Sequence, residues 1–364
     1  ARHLRPRPPR GIPRPPPPRA GVMMRCLALA VGAVWLTLAA ADTECPAAPS
    51  TPEDRRSDKN TLRVVQFNAE WLFIDQTSGN IPCPGECTWA NETEAEKHLE
   101  AIAQVVADLN PDILNFCEIE GCDELNDVIA QLGDSYGYNP YLIKGEDTYT
   151  QQNVGMLTRI DPTMDVTRTD DRVDYPLEGQ QCGYPGSTGS GGSYGCTKHS
   201  LTTFNINGMD VVFVAVHFLS NPTDEYACAK REAQATVVRN FLQPYLDKGY
   251  EAIVLGDMND FDADVLDSNG DVPNSRALSI LKGDDLTNAY VNLDQSERYT
   301  EWYDENEDCV FSLSEVSAID HVLLSKGLLD KVTSVSVAHP EYDQSCTDYY
   351  YSDHWPVVVD FDLS

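Results

Sequence analysis

Ala252-Ile253-Val254-Leu255-Gly256-Asp257-Met258-Asn259-Asp260 is a short apolar run that meets a glycine and then turns acidic. Four consecutive apolar residues stopped by Gly256 predict a buried strand over Ala252 to Leu255. The polar residues come where that strand ends. Side chains at a strand end can converge on a mouth while the sheet holds them rigid. The same punctuation recurs five times. Asn68 and Glu70 follow the Val- and Leu-rich strand Leu62 to Phe67, and Glu118 follows Asp112 to Cys117. His217 follows Val211 to Val216. Asp320 opens the run Ile319 to Leu324, and Ser352-Asp353-His354-Trp355-Pro356 precedes Val357 to Phe361. Singly, each reads as turn chemistry, because Asp and Asn bond their own backbone. Six in one chain point to one shared site.

Outward from these motifs, the periodicity predicts strands at Asn153 to Leu157, Leu201 to Ile206 and Val332 to Val337. Asn207-Gly208 between two strands is a hairpin signal. Helices are predicted over Thr93 to Leu109, with Thr93 and Glu96 as a capping box, and over Ala229 to Leu246. Hairpins alternating with helix-linked strands imply mixed sheets covered by helices. Cys182 and Cys196 bracket a Gly/Ser/Tyr loop and read as its staple. Asp260 to Asp271 is rich in Asp but lacks the spacing and closing Glu of a calcium-binding helix–loop–helix. It reads as a solvated acidic loop.

Residues 1–22 are almost only Arg, Pro, Gly and Ala, a composition that cannot bury a core. Residues 23–41 have the layout of a signal peptide: a basic start, an apolar stretch from Cys26, and Ala39-Ala40-Ala41 before Asp42. The alternative, a membrane anchor, needs an apolar run of about 20 residues. Residues 42–61 read as a polar linker and 62–364 as one domain. Ten cysteines after the leader read as disulfides in an oxidising compartment, with zinc as the competing reading. Asn91-Glu92-Thr93 is a glycosylation sequon. Together these features imply a secreted, extracellular protein with no transmembrane segment in the mature chain.

The chain carries −32. Residues 1–41 contribute seven arginines and no carboxylate, which leaves −39 on residues 42–364. Such a surface repels polyanions and excludes a general nucleic-acid binder with a basic face. A divalent cation at the site reverses the local sign. Salt screens the rest, with a Debye length of about 8 Å at 0.15 M.

The ordered set Asn68/Glu70, Glu118, His217, Gly256-Asp257-Met258-Asn259, Asp320 and Ser352-Asp353-His354-Trp355-Pro356 resembles the signature of the endonuclease/exonuclease/phosphatase superfamily. The resemblance spans about Leu62 to Leu363. It implies an α/β (α+β) fold, a four-layer sandwich of two mixed β-sheets flanked by helices, with the site at one edge. It implies a divalent-metal-dependent phosphoesterase using Mg²⁺ or Mn²⁺, with Ca²⁺ as an alternative.

Phosphoester cleavage needs charge neutralised on the phosphoryl oxygens, an in-line water and a stabilised leaving oxygen. A hard cation takes carboxylate oxygens. Glu118 is the expected metal ligand, with Glu70 and Asp353 in support, and Asn68 holds metal or phosphate. Asp257 is expected to accept a proton from water and Asn259 to orient that water. His217 and His354, as imidazolium ions, would face the phosphate from two sides, and by resemblance Asp320 sustains the charge of His354. Arg231, with Gln234, is expected either to hold the phosphate or to lie on a solvated helix face. One position departs from the pattern. Where the deoxyribonucleases place a carboxylate beside the first histidine, this chain reads Tyr149-Thr150-Gln151-Gln152-Asn153. An amide there can orient His217 but cannot stabilise its charge.

The expected function is an extracellular nuclease acting as a monomer on nucleic acid. Gly256-Asp257-Met258-Asn259-Asp260-Phe261 resembles the nuclease branch. The alternatives are a sphingomyelinase-like phospholipid phosphodiesterase, a small-molecule phosphatase, and a non-catalytic binding module. A lipid enzyme should present an exposed apolar hairpin, and the sequence shows no clear one. Tyr349-Tyr350-Tyr351 is the nearest candidate.

Overall fold

The computed structural model describes residues 45–74, 91–304, 308, 310–339 and 351–364. The leader, Cys83, Cys87, Cys309, Cys346, Tyr349 and Tyr350 lie outside the described residues.

Strand β1 (Thr61–Leu72) enters the middle of a six-stranded sheet. Its residues Val64 to Ala69 are all buried, as befits a strand covered on both faces. Helix α1 (Glu92–Leu109) follows, then β2 (Ile113–Ile119), α2 (Cys122–Leu132), β3 (Asn139–Leu142) and β4 (Asn153–Thr158). The expected capping box is replaced two residues earlier. Asn91 caps α1, its side chain accepting from the Glu94 N–H. A small pair, β5 (Val173–Asp174) and β6 (Ser193–Tyr194), precedes the hairpin of β7 (His199–Ile206) and β8 (Met209–His217). That hairpin turns at Asn207-Gly208, as the sequence predicts. Helix α3 (Glu225–Leu246), β9 (Glu251–Asp257), α4 (Ala277–Lys282) and β10 (Leu286–Asn288) come next. A second small pair, β11 (Glu301–Trp302) and β12 (Val316–Ser317), leads to β13 (Asp320–Ser325), α5 (Lys326–Leu329), β14 (Val332–Val337) and β15 (Val357–Asp362).

The first sheet runs β14-β15-β1-β2-β4-β3 and the second β10-β13-β9-β8-β7, both mixing parallel and antiparallel pairs. One apolar core joins them: Phe67 and Phe116 of the first sheet share it with Phe213, Leu255 and Val322 of the second. Helices α1 and α2 pack on the first sheet, and α3 with α4 covers the second. This is the four-layer sandwich expected. Gly256 is required where β8 and β9 meet. Its φ is +150°, and a Cβ there would stand 1.8 Å from the Val216 carbonyl oxygen.

Two expectations are corrected. Residues 45–60 do not behave as a free linker. Cys45 is bonded to Cys122, Arg55 pairs with Asp161, and the buried Arg56 guanidinium bonds Asp54 and the Thr61 carbonyl. Cys182 bonds Cys228 on α3 rather than Cys196, so the loop is pinned to a helix instead of closed on itself. Cys196 and Cys117 are free thiols, both buried. Among the described residues, no helix is long and apolar enough to cross a membrane.

Candidate active site

The strand ends converge at one edge of the sandwich. Asn68 lies on β1, wholly buried, and its side-chain amide donates to Glu118 Oε1 at 3.2 Å and Asp257 Oδ2 at 3.1 Å. The register of β1 against β2 breaks between Asn68 and Leu72, and again the β2 ladder shifts at Glu118. Such bulges re-aim side chains beside a site. Glu70, Trp71, Glu118 and Asn259 all take positive φ, which non-glycine residues adopt sparingly.

Glu118 accepts from the Trp71 N–H and lies 3.8 Å from His217 Nε2, which is 3.5 Å from Asp257 Oδ2. Glu118, His217 and Asp257 offer ligand atoms within 4.8 Å of one another, the one such trio among the described residues. Hard carboxylate oxygens, beside a neutral imidazole nitrogen, suit Mg²⁺ or Mn²⁺. Burial raises both carboxyls above their usual range, with Asp320 adding to the shift at Asp257. A cation among them would relieve that crowding. The donor set therefore fits the metal that the sequence implies.

Glu70 and Asp353 stand beside this trio rather than in it. Glu70 Oε2 accepts from the Asp353 N–H at 2.9 Å, and Asp353 Oδ1 lies 3.7 Å from His354 Nε2. Ser352 brackets the motif: its hydroxyl donates to the Asn68 carbonyl and accepts from the His354 N–H. His354 Nδ1 donates to Asp320 Oδ2 at 2.6 Å, and Gln66 holds the other Asp320 oxygen at 3.1 Å. Burial alone would push the His354 imidazolium down, but Asp320 and Asp353 hold it well above its ordinary value. Asp257 Oδ1 accepts from the Asn259 N–H, and the Asn259 amide donates to the Phe218 carbonyl.

His217 differs from expectation. Burial, then Lys198 and His354, push it well below its ordinary value, whereas the sequence reading makes it a second imidazolium. Nor does Gln152 orient it directly. Gln152 Oε1 accepts from Lys198 Nζ, which stands 3.4 Å from His217 Nε2. Lys198 was missed in the sequence, although the hairpin register contains it. The ladder pairs His199 with Val216, and the next step sets Lys198 opposite His217, whose N–H donates to the Lys198 carbonyl.

Arg231 is not at the mouth. It is fully buried, its guanidinium paired with Asp260 at 3.0 Å and bonded to the carbonyls of Leu219, Ser220, Asn221 and Pro222. Its Nε is committed to Asp260, and Nη1 and Nη2 to the loop before α3. Gln234 likewise accepts from the Leu219 N–H.

The sequence profile of the endonuclease/exonuclease/phosphatase family matches residues 65–354. No curated protein matches the chain. Among solved structures, a 3′–5′ exonuclease from Neisseria meningitidis is similar at 18% identity and a TM-score of 0.52, covering 83% of this chain and 100% of its own. An endonuclease/exonuclease/phosphatase from Bacteroides vulgatus is similar at 18% identity and 0.51, covering 84% and 99%. A mannosyl-6-phosphatase from Bacteroides thetaiotaomicron is similar at 18% identity and 0.50, covering 82% and 98%.

Proposed function

The chain belongs to the endonuclease/exonuclease/phosphatase family, whose members hydrolyse phosphoester bonds, and on that premise we propose that it is a secreted, divalent-metal-dependent nuclease. The observation that carries the reading is the meeting of Asn68, Glu118 and Asp257 with the His354–Asp320 pair at one sheet edge. Glu118 would hold the metal, with Asn68, Glu70 and Asp353 in support. The metal supplies neutralisation of phosphoryl charge when bound. Asp257, its basicity raised by burial, takes a proton from the attacking water. Asn259 fixes Asp257 through its backbone N–H. The His354 imidazolium faces the charge that develops on the phosphoryl group, and Asp320 keeps it charged. The acidic surface is met at the site by these cations. The two disulfides among the described residues support an extracellular setting, and the enzyme is taken to act as a monomer.

A second reading, a lipid phosphodiesterase, draws on one observation. Tyr303, Val310, Phe311 and Leu313 are exposed between β11 and β12. The base of that hairpin is tied to the site, since the Trp302 N–H donates to the Asp353 carbonyl. This is the apolar hairpin that the sequence did not reveal.

The test is a hydrolysis screen of residues 42–364 against DNA, RNA, a choline phospholipid in vesicles and a sugar monophosphate, with Mg²⁺ and with chelator. Metal-dependent cleavage of DNA or RNA is the expected result. Turnover of lipid alone, or of the monophosphate alone, would replace the nuclease reading.

A further inference from the structure

Phosphoryl transfer needs protein cations against the nonbridging oxygens, and the arginine expected to supply one is committed elsewhere. Lys198 is a cation that does stand beside the metal trio. Its Nζ lies 3.1 Å from Gln152 Oε1, 3.4 Å from His217 Nε2 and 3.8 Å from Asp147 Oδ2, with the side chain 11% exposed. It acts electrostatically on Glu118 as well as on His217. The 3.4 Å contact with His217 sets the lysine beside the metal trio.

A tie between β7 and the loop before β4 does not account for it. Thr150 Oγ1 also donates to Gln152 Oε1, at 3.2 Å, and the Glu146 N–H donates to the Thr197 carbonyl. That loop is held without the ammonium. An ammonium has three donors. Here one meets Gln152, one meets His217 at a long distance, and Asp147 lies outside hydrogen-bond range. A donor remains for a ligand oxygen. The ammonium is ion-paired with Asp147 at 3.8 Å, beyond hydrogen-bond range, and a phosphoryl oxygen of the substrate would give it a closer anion.

We propose that Lys198 is a catalytic residue whose ammonium binds the nonbridging oxygens of the scissile phosphoryl group. The inference rests on the phosphoesterase reading and deepens it. Lys198 and His354 then flank the phosphoryl group as its two protein cations.

The test compares the parent protein with Lys198→Met and Lys198→Arg. Binding of inorganic phosphate is measured by calorimetry in Mg²⁺, kcat and KM on whichever substrate the parent cleaves, and the thermal midpoint alongside. Lys198→Met should weaken phosphate at least tenfold and lower kcat on the order of 10²-fold, with the midpoint unmoved. Lys198→Arg, which keeps the charge, should recover at least tenfold of the lost kcat. Equal phosphate affinity in parent and Lys198→Met overturns the proposal, as does a parent that binds no phosphate. So does a fall in midpoint with kcat unchanged. If Lys198→Met does not fold, Lys198→Gln, able to bond Gln152, takes its place. A parent that cleaves nothing yet loses phosphate on Lys198→Met sinks the phosphoesterase reading and the catalytic role with it, and leaves standing only that the lysine binds phosphate.

Discussion

The Asp320 carboxylate stands 2.6 Å from His354 Nδ1, with both side chains sealed from solvent. The pair works as a unit: the acid keeps the imidazole charged, and the imidazole presents that charge to the phosphoryl group. His354→Ala and Asp320→Ala should each lower kcat on the order of 10²-fold. The double variant should be little worse than the worse single one. Additive losses in a cycle on folded protein would break the pairing. The stability effect has a definite sign. Because the His354 value is raised above its ordinary 6.5, the pair stabilises fully below that pH and less as pH rises through the folded-state value. Asp320→Asn should flatten that decline in denaturant titrations across pH. An unchanged slope would show that Asp320 does not hold the charge.

Arg231→Met should act on stability and not on phosphate. It leaves the buried Asp260 carboxylate without its cation, a defect worth about 3–5 kcal/mol. Urea midpoints should fall accordingly, while phosphate affinity of the folded fraction stays at the parent value. A weakened phosphate affinity at parental stability would restore Arg231 to the site.

Asp267 is a second pH-sensitive group. Burial, then the Asp271 carboxylate, raise it to about 6. A raised acid favours the fold below its ordinary 3.8, and that advantage is lost as pH rises through about 6. Asp267→Asn keeps an oxygen for the Asn269 and Asp271 N–H groups and removes the charge. It should stabilise the protein on the order of 1 kcal/mol at pH 7.5 and not at pH 3. A loss of stability at pH 7.5 would contradict this account.

Gly256→Ala tests the strand contact beneath the Asp257 motif. The added Cβ would meet the Val216 carbonyl oxygen at 1.8 Å, which no rotamer relieves. Since backbone must move, a loss above about 3 kcal/mol is expected. A variant of parental stability would mean that β8 and β9 separate readily.

Strand ends carry most of what could be read in advance. Asn68, Glu118, Asp257, Asp320 and His354 were legible because apolar runs stop beside them, and a stop in hydrophobicity is a local signal. Glu70 and Asp353 were placed near the metal for the same reason, yet their mutual bond depends on a bulge that no local pattern announces. Arg231 misled because a cation at a helix start looks solvated until tertiary packing encloses it. Cys182 misled in a related way, since loop composition suggested a short closure while its partner came from α3. Lys198 was hidden by a different cause. Its importance lies in cross-strand register, which is countable from Asn207-Gly208 but carries no compositional mark.

The hydroxyl of Ser352 on the Asn68 carbonyl joins points 284 residues apart, and Thr61 to Gln66 of β1 pair with β15. Contacts of such separation form late, because the chain between them must first be organised. A ribosome that has reached any residue before Ser352 has produced a polypeptide with no assembled site. A chain that ends before Ser352 lacks that tie, the His354 imidazole and β15.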